Sequence, residues 1–334
     1  MLNDINHLDS RISMGLSKNY SPSSIENLHS ELDVLSCSSI EELVTLVQSR
    51  HHDKVVRYAA GTLLALRGDP RIIPLDPPMV IIPEALATLG LEPERVDAVV
   101  EQYRSFGVVR DWIVKECPTY QSQISSFKIG RYCVSNLEYR DFLLDSGHTQ
   151  IPSSWDFGAF PIHRANHPVF TVAPGDAETY CQWLSAQSGR RFRLPTEPEW
   201  EYVAGGKDHY VFPWGDDYAL DHANTIEELV LSTTPIGMYP LGQSPFGVMD
   251  MAGNVEEYTA DHYRPYPNGE IITDDLAITE GQYRIARGGS FTRFRDLART
   301  TRRHGWFKKD IYCMGFRLAE DLFDHHLLQP IPRR

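Results

Sequence analysis

Three prolines in five residues, Pro74, Pro77 and Pro78, divide the chain into two textures. Proline removes a backbone donor and biases the residue before it away from the helical region, so neither a helix nor a central strand runs through this stretch. Residues 1–75 and 76–325 therefore read as separate units, with 326–334 as a C-terminal tail. Upstream of the prolines the apolar positions follow a helical period. Ile40, Leu43, Val44 and Val47 share one helix face. A polar break at Arg50, His51, His52 and Asp53 precedes a second stripe of Val56, Ala59, Ala60 and Leu63. Gly68 and Pro70 stop that helix, where a helix C-terminus favours them. The first thirty residues, rich in Ser, Asn and Asp, show little periodicity and read as a mobile tail.

The two helices form a hairpin that resembles a single HEAT-type repeat. One repeat cannot bury its own apolar face, so it must pack on the rest of the chain or on a protein partner. Downstream the pattern is short strands and turns. Phe127–Ile129 and Tyr132–Val134 read as strands, and Asn136–Leu144 as a helix closed by Gly147. Asp176 is the expected N-cap of a helix that ends at Gly189. Thr196, Glu197, Pro198 and Glu199 fit a capping box. Strands and helices do not alternate, which makes the class α+β with a high loop content.

Composition narrows the function. Acidic residues number 45 against 32 basic ones, and the net charge of −13 repels phosphate backbones, so a nucleic-acid partner is excluded. No apolar run reaches the 18 or so residues of a membrane span. The start, MLNDINHLDSR, lacks the apolar stretch of a secretory signal. The expectation is a soluble, cytoplasmic protein. Five scattered cysteines without a CxxC fit buried hydrophobes better than a disulfide framework or a zinc site.

Seven ordered blocks then carry a resemblance. They are Phe127-Lys128-Ile129-Gly130 through Tyr139; His167-Pro168-Val169 with Tyr180 to Leu184; Arg193 through Tyr202; Pro213-Trp214-Gly215-Asp216; Gly253 to Glu257; Arg287-Gly288-Gly289-Ser290-Phe291; and Gly315 to Ala319. Together they resemble the formylglycine-generating enzyme, or sulfatase-modifying factor, family, which includes ergothioneine-type sulfoxide synthases and a siderophore-tailoring branch. The resemblance implies a loop-rich, C-type-lectin-like fold. It also implies structural calcium, held by Asp250, Gly253, Val255 and Glu257, with a looser second set at Asn224, Thr225, Glu228 and Val230. Carboxylates and carbonyls are the hard oxygen ligands calcium takes.

Departures from the family separate its chemistries. The copper-binding cysteine pair that should follow the RGGS block is absent, because Phe291 to Arg299 contains no cysteine. Sulfatase activation is disfavoured, since copper(I) wants thiolates. The HxxxHxE iron motif of the sulfoxide synthases is also missing. Yet the segment from Ala298 to Phe307 looks like the groove-lining strand of that branch. Arg299 and Arg303 are expected to bind an anionic small molecule and Trp306 to stack on it, with His304 as a titratable catalytic group. Where the family has tryptophan this chain has Glu256, placing a charge beside Tyr258 and, further on, His262. Glu256 is a candidate substrate contact, and Tyr258 and His262 are candidate catalytic groups. The leading reading is a diverged metal-dependent oxidoreductase, with iron as its metal, that tailors a small metabolite. The alternative is a non-catalytic lectin-like binding module.

Overall fold

The computed structural model describes residue 6 and residues 8–322, so the expected tail at 326–334 lies outside the described residues. Four helices precede the prolines: α1 (Ser10–Ser13), α2 (Leu28–Leu35), α3 (Ile40–Val47) and α4 (Lys54–Arg67). Then come β1 (Met79–Ile82), β2 (Ala85–Leu89), α5 (Val96–Gln102), α6 (Arg110–Val114), β3 (Tyr120–Ile124) and β4 (Phe127–Cys133). The remainder runs α7 (Asn136–Ser146), α8 (Pro174–Ser188), β5 (Phe192–Arg193), α9 (Glu197–Gly205), β6 (Glu256–His262), α10 (Asp275–Glu280), β7 (Arg284–Arg287) and β8 (Met314–Asp321). The central sheet has the order β1-β4-β8-β6-β7, with β5 also on β8; only β6 and β8 run parallel. The separate antiparallel pair β2–β3, joined through α5 and α6, completes the strands. This is the α+β, loop-rich arrangement expected.

Local chemistry explains the helix starts. Ser39, Ser135 and Thr196 each cap a helix and accept from the N3 amide, while Glu42, Glu138 and Glu199 reach back to the cap amide. These reciprocal bonds satisfy donors that a helix N-terminus otherwise leaves open. The expected cap at Asp176 is corrected: α8 starts three residues earlier, with Ala173 as N-cap and Pro174 in the first turn. Proline has no amide to satisfy at that position. Asp176 instead holds His148 at 2.9 Å. The two short strands read at 127–134 are one strand with an irregularity between Ile129 and Cys133.

The N-terminal region departs further from expectation. α3 and α4 form as read, but α2 joins them, and residues 8–27 are anchored on the rest of the molecule rather than trailing as a tail. The apolar stripe Leu43, Val47, Ala59, Ala60 and Leu64 is buried together with Val230, Met238 and Tyr239. Between them Arg57, fully buried on α4, donates to the Asp221 carboxylate. The helices thus pack on the sheet domain and share a core with it. Removing residues 1–75 exposes the face around Val230, Met238 and Tyr239. The truncated chain should aggregate or melt well below the full chain in size-exclusion and thermal scans; a monomer with an unchanged melt would contradict the shared core.

Candidate functional site

The basic segment after β7 decides what the site is made of. Arg299 and Arg303 are 2% and 1% exposed. Arg299 donates two bonds to Glu116, at 2.7 and 2.8 Å. Arg303 does the same to Glu197, both at 2.8 Å, and its guanidinium lies 4.0 Å over the Tyr266 ring. Arg287 joins the lattice through Glu197 at 3.1 Å and through Glu201. The sequence expectation that Arg299 and Arg303 contact a ligand is corrected. A charge removed from water needs a paired, hydrogen-bonded partner, and the acid-rich chain supplies one for each. Burial alone would raise the Glu201 carboxyl, but Arg287, His209 and the Gly90 amide outweigh it and hold it down to about 2.

Glu256 and His304 are likewise internal. Glu256 is completely buried and accepts from His304 Nδ1 at 2.6 Å. The His304 ring stacks on Tyr312, with centroids 5.2 Å apart. Burial pushes the imidazole down to about 4, helped by Arg293 and Arg302 and opposed by Glu256. His304 is therefore a neutral donor behind the wall of the site, not a group that meets substrate, and Glu256 is its anchor. His262 is exposed at the end of β6 and does not line the cleft, which corrects its assignment as a catalytic candidate.

Two sequence candidates do reach an open cavity. Tyr258, from β6, and Trp306, 41% exposed, line a cleft of about 660 Å³. Its other walls include Tyr283, Arg284, Lys308, Lys309, Tyr312 and Met314, with Thr171 to Pro174 at the start of α8. Tyr258 reaches it because β6 lies between β7 and β8, so its partners Ala286 and Phe316 flank it on the sheet. Arg284 is held in the wall by Glu178 at 2.6 Å and by the Ala260 carbonyl at 2.7 Å. Sequence reasoning missed Tyr283, Arg284 and Tyr312. The Lys308–Lys309 pair and the aromatic residues flanking it were the available signal.

The first expected calcium set does not fit a cation. Glu257 accepts from Arg317 at 2.6 Å and from Trp200 Nε1 at 2.8 Å, so a guanidinium already neutralises it. Asp250 accepts from the Gly237 amide at 2.6 Å. Burial raises the Asp250 carboxyl to about 6. Gly253 serves a backbone purpose: at φ 75° it lies so close to Asn224 that a Cβ would meet the Asn224 carbonyl oxygen at 2.5 Å. In the second set, Glu228 is paired with Lys54 at 2.7 Å, Thr225 bonds to Tyr218 at 2.8 Å, and the Val230 carbonyl accepts from Ser23. Asn224 Oδ1 is buried without a protein partner.

Between pH 6.5 and about 4, the unfolded chain takes a proton at His304 that the folded chain refuses. Stability is full above 6.5 and falls as pH drops toward 4, by about 3 kcal/mol over the window. His304→Gln keeps an amide donor for Glu256 and should flatten this part of a stability–pH profile measured by urea denaturation. An unaltered slope would show that His304 is not the group titrating.

Residues 76–322 match the sulfatase-modifying factor enzyme 1-like domain, and the chain belongs to that family. Among curated proteins it is 30% identical to hercynine oxygenase of Mycobacterium tuberculosis over 62% of this chain and 55% of the relative. To the hercynine oxygenase of Mycolicibacterium smegmatis it is 29% identical, over 73% and 61%. Formylglycine-generating enzyme of Streptomyces coelicolor is 35% identical over 47% and 54%. The chain thus spans less than two thirds of the length of these relatives. PvdO from Pseudomonas aeruginosa superposes with a TM-score of 0.58 at 25% identity, covering 74% of this chain and 95% of that one. Variable protein 1 of Treponema denticola, at TM-score 0.53 and 18% identity, shares the fold over 73% of this chain and 95% of that one.

Proposed function

We propose that this chain is the substrate-binding domain of an oxidoreductase that tailors a small molecule bearing a ring and an anionic group. The observation that carries the binding part is the cleft: aromatic walls from Tyr258, Tyr283, Trp306 and Tyr312 meet the lysine pair Lys308–Lys309 at its edge. Aromatic faces take up a flat ring, while an ammonium attracts a carboxylate. The reaction class rests on the named oxygenases among its relatives. Within the cleft, the residues of this chain bind and orient. Tyr258 and Tyr312 offer hydroxyls, Arg284 stiffens the wall, and the neutral His304 supports the Tyr312 ring from behind.

Iron, which the resemblance implies, is not matched by the donors present. Among the described residues no group of three His, Cys, Asp or Glu side chains is placed to hold a metal. His304 is spent on Glu256, and Asp261 accepts from the Glu197 amide at 2.6 Å. That observation favours a second reading, a non-catalytic ligand-binding module built on the same cleft. Calcium is retained only for the second set, because of the orphaned Asn224 Oδ1. A chelator should then lower the melting temperature of the wild type and leave Asn224→Ala unmoved; a wild-type melt indifferent to chelation would sink calcium here.

The cleft is tested by calorimetry with imidazoleacetate, phenylacetate and indoleacetate. At least one should bind, and Trp306→Ala should weaken it roughly tenfold with little change in thermal stability, as loss of a stacking contact does. A large drop in melting temperature would instead place Trp306 in the core. Oxygen uptake with a bound probe, ferrous iron and a reductant separates the two readings: uptake above the protein-free control supports the oxidoreductase, and none supports the binding module.

A further inference from the structure

The N-terminal segment is fastened to the cleft lysine and tyrosine by specific polar bonds. Lys309 Nζ donates to the Leu8 carbonyl at 2.6 Å and to Ser13 Oγ at 2.7 Å. The Tyr312 hydroxyl donates to Asn6 Oδ1, whose amide nitrogen in turn donates to Asp275 at 2.7 Å. The segment has its own internal order. Asp9 caps α1 by accepting from the Arg11 amide at 2.9 Å, and Arg11 closes the following turn through the Ser17 and Asn19 carbonyls. Met14 then packs against the core cluster that contains Tyr258 and Tyr312.

We propose that Asn6 and residues 8–14 form a strap that positions the cleft, with Asn6 and Ser13 as positioning residues acting through Tyr312 and Lys309. The proposal rests on the reading of the cleft as the ligand site. Lysine has a long, flexible stem, and an ammonium left to itself samples many rotamers. The carbonyl of Leu8 and the hydroxyl of Ser13 help to hold it in one direction, which fixes the lysine stem along one wall. Asn6 does the same for the Tyr312 phenol, fixing the hydroxyl of a ring that stacks on His304. Hydrogen bonds to a charged group are stronger than those between neutral groups and are enough to set a rotamer. Preorganisation of this kind raises affinity by sparing the ligand the ordering of its own partners.

The test is the Asn6→Ala/Ser13→Ala chain beside the wild type. Acetylation by an N-hydroxysuccinimide acetate, read by mass spectrometry, should be severalfold faster at Lys309 in the variant and unchanged at Lys308. Imidazoleacetate or whichever ring acid binds the wild type should bind the variant roughly tenfold more weakly, with an unchanged melting temperature. Equal acetylation of Lys309 in both chains overturns the strap. Faster acetylation with undiminished affinity shows a cover without a positioning role, and also overturns the proposal. If acetylation rises at every lysine, Ser13→Ala alone replaces the double variant and is judged by the same two outcomes. If no ring acid binds either chain, the reading of the cleft fails and the positioning role with it; the Lys309 contrast then reports only the contact.

Discussion

The molecule depends on buried arginine–glutamate pairing. Arg287, Arg303 and Arg317 are each at most 1% exposed, and Glu197, Glu201 and Glu257 lie with them. These side chains come from elements distant in sequence: α9, β6, β7, β8 and the loop between the last two. Such a fold has little regular structure with which to align its loops. A guanidinium with five donors in a fixed fork can bind several loop carbonyls and carboxylates at once. Arg317 does so, donating to Glu257 and to the Gly130 and Met249 carbonyls at 3.0 Å. Removing one partner from such a pair strands a charge at a cost of about 3–5 kcal/mol. The lattice therefore specifies one loop arrangement more than it adds net stability.

That lattice explains why Arg299 and Arg303 lie in buried ion pairs and not along the cleft. It also explains where ligand chemistry remains. On the far side of His304 and Tyr312, the wall turns from paired ions to aromatic rings, and the first lysines beyond it, Lys308 and Lys309, reach the cleft. The replacement of a family tryptophan by Glu256 belongs to the same plan. It gives the buried His304 an acceptor, and the neutral imidazole gives Tyr312 a flat support. Charge at position 256 is thus internal scaffolding, two residues before Tyr258, which lines the cavity.

Much of the fold was legible because its signals are local. The capping box at Thr196, and glycine at helix ends such as Gly147 and Gly189, depend on a few neighbouring residues and formed as read. The ordered blocks extended that reading to the architecture of residues 76–322. The site was less legible, since a count of charges along a segment carries no information about burial. Five basic residues in eleven, from Arg299 to Lys309, divide into a buried half and a cleft half according to contacts with Glu116 and Glu197, which are over a hundred residues upstream. Trp306 was found because a ring next to lysines is a local pattern; Tyr283 and Arg284 were missed because only strand pairing brings β7 beside Tyr258.

The N-terminal residues show the same limit from the other direction. Ser, Asn and Asp without periodicity read as a tail because no apolar face announces a packing surface. Their anchoring is polar and specific: Asn6 with Tyr312 and Asp275, Ser13 with Lys309, Ser23 with the Val230 carbonyl. Short polar side chains bond readily to backbone and to other side chains, and periodicity does not register that capacity. Each of these bonds joins residues more than 200 positions apart in the chain. One wall of the cleft is consequently tied to the beginning of the sequence and the other to the sheet. A change at Asn6 or Ser13 removes a bond to Tyr312 or Lys309 without touching any residue that lines the cleft.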